Sequence, residues 1–142
     1  MTFFRKEVEM IKAEDLRIGD LVRYGDKVIT LTAVHANGSV CFADGKDQMY
    51  SEDVLLEPIP LTPEILEKNG CKKKEYGGET FYCIELNVFL ELFVTFQNNC
   101  FSVGLFLIYD DDAIEYFPRN INYLHEYQQI LCALGKDANL KI

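Results

Sequence analysis

The residues able to do chemistry in this 142-residue chain are few and scattered. Asp110-Asp111-Asp112 offers three hard oxygen donors of the kind magnesium or calcium takes. Consecutive carboxylates point in different directions, and no calcium-loop spacing follows, so the run reads as a solvated turn between strands. His35 and His125 are the only histidines and stand far apart in sequence, with no cysteine at ligand spacing. His35 falls in a strand pattern. His125 falls in a helical one beside Glu126, which points elsewhere around the helix, so His125 reads as a packing or surface residue. The five cysteines, Cys41, Cys71, Cys83, Cys100 and Cys132, form no CxxC and lie in no nucleophile motif. They are expected as reduced thiols filling apolar sites. Gly77-Gly78 is a turn and no phosphate loop. No catalytic residue, metal set or cofactor is expected.

Three groups could bind rather than react. Lys72-Lys73-Lys74 is the only basic run, and with Arg119 it could hold a small anion or nucleotide, with Tyr76 and Tyr82 stacking on bases. The competing reading is a strand edge whose lysines discourage edge pairing. Tyr24, Phe42 and Tyr50 could form an aromatic cage for a cation or an extended peptide, or could be ordinary core. Tyr123, Glu126 and Gln129 are expected on the outer face of the last helix, open to a partner.

The net charge is −9, with 7 basic against 11 acidic residues through Pro60 and 7 against 12 after it. Acidity is thus spread along the chain, which disfavours the phosphate backbone of nucleic acid. Apolar residues make up 49% of the chain, too many for a disordered one. The first ten residues mix charges with Phe and lack an apolar signal-peptide core. The most apolar region, Val88 to Tyr109, is interrupted by Glu91 and by Gln97-Asn98-Asn99, so it does not read as a membrane span. A reduced, soluble, cytoplasmic protein is expected.

These candidates need elements to position them. The pattern predicts an α+β fold: a charged leader over 1–14, a small SH3-like β-barrel lobe over 15–58, and over 59–142 a helix, an antiparallel β-meander and a C-terminal helix. In the first lobe, Gly19-Asp20-Leu21-Val22 leads into a strand over 21–24. Gly25-Asp26 then turns the chain into a β-rich run over 27–35. Asn37-Gly38 is a strong two-residue hairpin signal, since both residues tolerate positive φ. Strands over 39–43, 48–50 and 55–57 follow, with one helical turn over 51–54. Pro58-Ile59-Pro60 is a stiff joint. Thr62-Pro63-Glu64 starts a helix that Asn69-Gly70 ends. Two hairpins come next, 72–76 with 80–85 and 88–96 with 101–109. A two-residue turn at Asn98-Asn99 would pair Phe96 with Phe101, Val94 with Val103, Leu92 with Leu105 and Leu90 with Leu107. That face is wholly apolar and needs a cover. After a short strand over 113–117, a helix capped by Asn120 or Asn122 and closed at Gly135 supplies it, through a stripe of Ile121, Leu124, Tyr127, Leu131 and Leu134.

Three stretches, "LRIGDLV", "EPIPLTPEILEKNG" and "INYLHEYQQILCALG", together resemble a family of small proteins encoded in phages, prophages and mobile elements of gut bacteria. Tyr123, Leu124, His125, Glu126, Gln128, Leu131, Ala133 and Leu134 match its closing helix, and Ile65 stands where members often carry Trp. The resemblance implies a setting in a host cell and no particular activity. The leading expectation is a non-enzymatic binding protein with a protein partner. One alternative is a phage antagonist of host defence, which sequesters a nucleotide signal or masks a defence protein. Another is a nucleic-acid accessory protein. No membrane association is expected, and self-association stays open.

Overall fold

A computed structural model describes residues 11, 15–35, 39–44, 47–50, 56–97, 100–108, 110–117 and 120–142, with the side chains of 43–50, 97 and 110–115 outside the description. The chain divides into two compact units, Met1–Ile59 and Pro60–Ile142.

The first unit is a five-stranded antiparallel sheet. Strand β1 (Leu21–Tyr24) pairs with β2 (Lys27–Val34) across Gly25, whose φ of 61° suits the tight turn. Strands β3 (Val40–Asp44) and β4 (Asp47–Tyr50) continue the meander, and β5 (Leu56–Glu57) returns beside β1. The β2–β3 register pairs Val34 with Val40, and the His35 N–H donates to the Ser39 carbonyl at 2.8 Å. Three residues therefore separate His35 from Ser39, one more than a two-residue Asn37-Gly38 turn, which itself lies outside the described residues. So does the helical turn expected over 51–54. Leu16, Val22, Ile29, Leu31, Val40, Phe42 and Leu56 form the core; strand alternation places all but Leu16, which precedes β1, on one face. Ile11 also packs against it, so this residue of the leader belongs to the fold. Asp20 is buried and stabilises the turn before β1 by accepting the Arg17 N–H at 2.7 Å.

The second unit begins with helix α1 (Pro63–Lys68), capped by Thr62, whose hydroxyl accepts the Ile65 N–H at 3.2 Å. At its end, Gly70 (φ 95°) donates to Glu67 and Cys71 to Leu66, the paired bonds of a Schellman stop. Strands β6 (Lys72–Tyr76), β7 (Glu79–Glu85), β8 (Leu90–Gln97), β9 (Cys100–Leu107) and β10 (Asp110–Tyr116) form one antiparallel sheet in the order β10-β9-β8-β7-β6. All four cross-strand pairs expected for the β8–β9 hairpin occur, from Phe96 with Phe101 to Leu90 with Leu107. Strand β8 begins at Leu90, so Val88 and Phe89 belong to the preceding turn, where the Asn87 side chain accepts the Phe89 and Leu90 N–H groups. Strand β10 starts at Asp110, so Asp110-Asp111-Asp112 lies in an irregular strand and is no connecting turn.

Helix α2 (Leu124–Ala133) closes the unit. Its lead-in is pinned by two bonds between Phe101 and Ile121, at 2.9 and 3.0 Å. The cap is Tyr123, in place of Asn120 or Asn122, because Glu126 in the first turn reaches back to the Asn122 and Tyr123 N–H groups, each at 3.1 Å. Asn120 instead bonds to Ser102 and Cys100. Gly135 (φ 75°) and Lys136 close the C-terminus with a second Schellman pair. Ile121, Leu124, Tyr127 and Leu131 are buried as the stripe requires. Leu134 is 37% exposed, because it lies past the last helical turn, as the C-cap. The buried face is wider than the apolar stripe and takes in His125 and Gln128 as well. Gln128 is accommodated by donating to the Ala138 carbonyl at 3.0 Å.

Candidate functional site

Alternation gives the second sheet two faces. Leu92, Val94, Phe101 and Val103 occupy one, and all are buried. Phe81, Cys83, Phe93 and Phe106 occupy the other and pack as a separate cluster. On that second face stand Lys74 and Tyr76 of β6, Glu85 of β7, Glu91 of β8 and Tyr116 of β10.

Strong coiling of the sheet brings these residues together. Tyr76 lies opposite Glu79, six positions along β7 from Glu85, which is level with Glu91 and Phe106. In a flat sheet with ~4.8 Å between strands and ~3.3 Å per residue, Tyr76 and Phe106 would stand ~24 Å apart. Their ring centroids are 5.9 Å apart. Two aromatic side chains cannot span the flat-sheet gap, so the sheet coils to make this face concave. Phe106 packs at 4.3 Å from Phe93 and 5.3 Å from Phe81, and Tyr116 meets Phe93 edge-on at 5.2 Å. Phe93 is wholly buried, whereas Tyr76 and Tyr116, on the two edge strands, are 49% and 48% exposed. The result is an aromatic floor with a tyrosine at either rim.

The coil also carries Lys74 across β7 to Glu91. Its Nζ lies 2.8 and 2.9 Å from the two carboxylate oxygens. The side chains are unequally sheltered, 36% exposed for Lys74 and 17% for Glu91. The hydrogen bond to Glu91 holds the Lys74 ammonium above the ordinary lysine range, against the opposing effect of partial burial. Burial pushes the neighbouring Cys83 thiol up to about 12, and the Glu91 charge adds to this. Glu85 stands directly across from Glu91 on β7 and is exposed. Two like charges opposed in this way disfavour the pair unless a cation offsets them.

The expected site residues do not converge. Lys72 and Lys74 share the concave face, Lys73 points to the opposite one, and Arg119 lies outside the described residues. Lys74 is engaged by Glu91, so the run supplies no three-lysine cluster. Tyr82 is buried on the face opposite Tyr76, so the two tyrosines cannot stack on one ligand. In the first unit Phe42 is fully buried, with Tyr24 against it at 5.2 Å, which makes that pair core. The Tyr50 side chain lies outside the description. Tyr123, Glu126 and Gln129 are all half-buried. Tyr123 stacks on His125 at 6.0 Å, and Glu126 caps its own helix. His35 Nε2 lies 3.3 Å from Cys41 Sγ across the β2–β3 hairpin, a proximity that sequence spacing did not signal. None of the five cysteines is in a disulfide. Among the described residues no group of three or more metal-ligating side chains occurs, and no helix is long and apolar enough to cross a membrane.

Sequence reasoning singled out Lys74 and Tyr76 but not Glu91, Phe106 or Tyr116. The available signal was a lone glutamate on a phenylalanine-rich strand. Comparison with family models, curated proteins and solved structures finds no match.

Proposed function

We propose that the protein is a non-enzymatic binding protein whose partner is another protein, docked on the concave face of the second sheet. The observation that carries this reading is the pair of half-exposed tyrosines, Tyr76 and Tyr116, flanking an ordered Lys74–Glu91 pair on an aromatic floor. Tyrosines on edge strands offer large contact area with few rotatable bonds, and exposed aromatic surface of this kind marks interaction sites. The first unit serves in this reading as an SH3-like scaffold, supported by a four-stranded meander whose fifth strand returns beside the first. The resemblance to phage and mobile-element proteins, together with the acidic composition, supports a partner in the host cytoplasm. An antagonist that masks a host defence protein is the form of this reading the resemblance favours. A nucleotide-sequestering form draws less support, because Lys74 is engaged by Glu91 and Lys73 faces away.

The test is quantitative affinity capture from a bacterial host extract, with wild-type protein beside Tyr76→Ala and Tyr116→Ala. Both variants should still unfold cooperatively, with a midpoint lowered by only a few degrees for the lost ring contacts, while losing the protein that wild type enriches. Equal enrichment by all three would show that the partner does not use this face.

A further inference from the structure

We infer that Glu91 is a receptor for an alkylammonium group of the partner, such as a lysine side chain, and that Lys74 is an internal occupant which that group displaces. This rests on the binding function proposed for the same face. Glu91 is the better sheltered member of the pair and sits on a central strand, whereas Lys74 is more exposed and sits on edge strand β6. The carboxylate is therefore the fixed element and the ammonium the movable one. The contact of both carboxylate oxygens with Nζ, at 2.8 and 2.9 Å, shows that the site accommodates an ammonium. Glu85 across the β7–β8 pair adds a second carboxylate to this end of the face, and Lys136, whose Nζ donates to the Glu85 main-chain carbonyl at 2.8 Å, is the other ammonium beside it. Phe106 is the direct cross-strand neighbour of Glu91, and half-exposed Tyr76 packs against Phe106. Aromatic faces beside a carboxylate favour a cation over an anion or a neutral group. The Lys74 side of the pair is 36% exposed, and an ion pair open to solvent on one side contributes about 1 kcal/mol or less, so Lys74 can yield its place. As a tethered competitor it lowers the apparent affinity for an incoming cation.

The probe is n-butylammonium chloride, titrated at constant ionic strength against sodium chloride and followed by backbone amide shifts. Wild type should show weak perturbation around Glu91, Phe106 and Tyr116. Lys74→Met should bind about three- to sixfold more tightly, since the tethered competitor is gone. Lys74→Met/Glu91→Gln should lose the response. Should Lys74→Met not fold, Lys74→Gln, which retains a hydrogen-bond donor, takes its place with the same expectation. Equal affinity in wild type and the lysine variants, or a response that survives Glu91→Gln, would overturn the inference. The two proposals fail separately. Tyrosine-dependent capture of a protein with no n-butylammonium response at Glu91 removes only the cation site. Capture that ignores Tyr76 and Tyr116 removes the docking face itself.

Discussion

Truncating Leu131 to alanine tests the placement of α2 most directly. Leu131 is 1% exposed and lies one helical turn beyond Tyr127, which is also buried and whose hydroxyl lies 3.4 Å from Cys71 Sγ. Burying a leucine side chain contributes about 1.5–3 kcal/mol, and the cavity left on truncation raises the loss to about 2–5 kcal/mol. The helix is held at both ends, by the Phe101–Ile121 pairing and by the Gly135 stop, so it cannot easily collapse into the gap. A loss of about 3–4 kcal/mol is therefore expected. With a urea dependence of about 2 kcal/mol per M, the midpoint should fall by about 1.5–2 M. Glu126→Ala is the matched control. It removes a carboxylate that accepts two main-chain N–H groups but opens no core, so about 1 kcal/mol, or about 0.5 M, is expected. Urea titration followed by far-ultraviolet circular dichroism measures both. If Leu131→Ala unfolds with the parent, or if Glu126→Ala costs more than Leu131→Ala, the helix phase is wrong and the supposed outer face is the core.

Thiol accessibility should follow burial. Ellman's reagent should modify exposed Cys132 first and Cys100 more slowly in the native protein, reaching Cys41, Cys71 and Cys83 only on denaturation, and rapid native labelling of Cys71 or Cys83 would contradict their placement. Stability should also fall in alkali. Folding raises the Cys83 thiol from 9.0 to about 12 and moves Cys71 in the same direction. The unfolded chain therefore releases protons near pH 9 that the folded chain retains, so this contribution is intact below pH 9 and declines as pH rises toward 12. Urea midpoints from pH 8 to 10 should drop less steeply in Cys83→Ala than in the parent. Replacing Lys72 and Lys73 with Gln should change stability by no more than about 0.5 kcal/mol. Lys74→Gln should cost somewhat more, about 0.5–1 kcal/mol, because it leaves the sheltered Glu91 carboxylate without its ammonium. Equal effects at all three positions in thermal melts would show that the Lys74–Glu91 pair is not formed.

What the sequence determined by itself was local. Thr62-Pro63 and Asn69-Gly70 define α1 because cap hydroxyls, a proline at the first helical position and a positive-φ glycine act within a few residues of one another. Gly77-Gly78 defines the β6–β7 hairpin, with φ values of 57° and 84°, because a tight two-residue turn needs both residues in the left-handed region. The β8–β9 register follows from a two-residue connection and period-2 alternation, and it places the described side chains of the two strands on their observed faces. Where several neighbours decide at once, local patterns gave less. The outer face of α2 cannot be told from its apolar stripe alone, since His125 and Gln128 are buried by what packs around them. Asp110 joined β10 by pairing with Leu107 of β9, which residue type disfavours and which only the partner strand supplies, and the register shifts before Ile114. The candidate site lay furthest from view. Alternation assigns Lys74, Glu91, Tyr76 and Phe106 to one face but leaves the curvature of that face undetermined. Only the coiling of the whole sheet, a property of five strands packed together, closes the distance from Lys74 to Glu91 and from Tyr76 to Phe106.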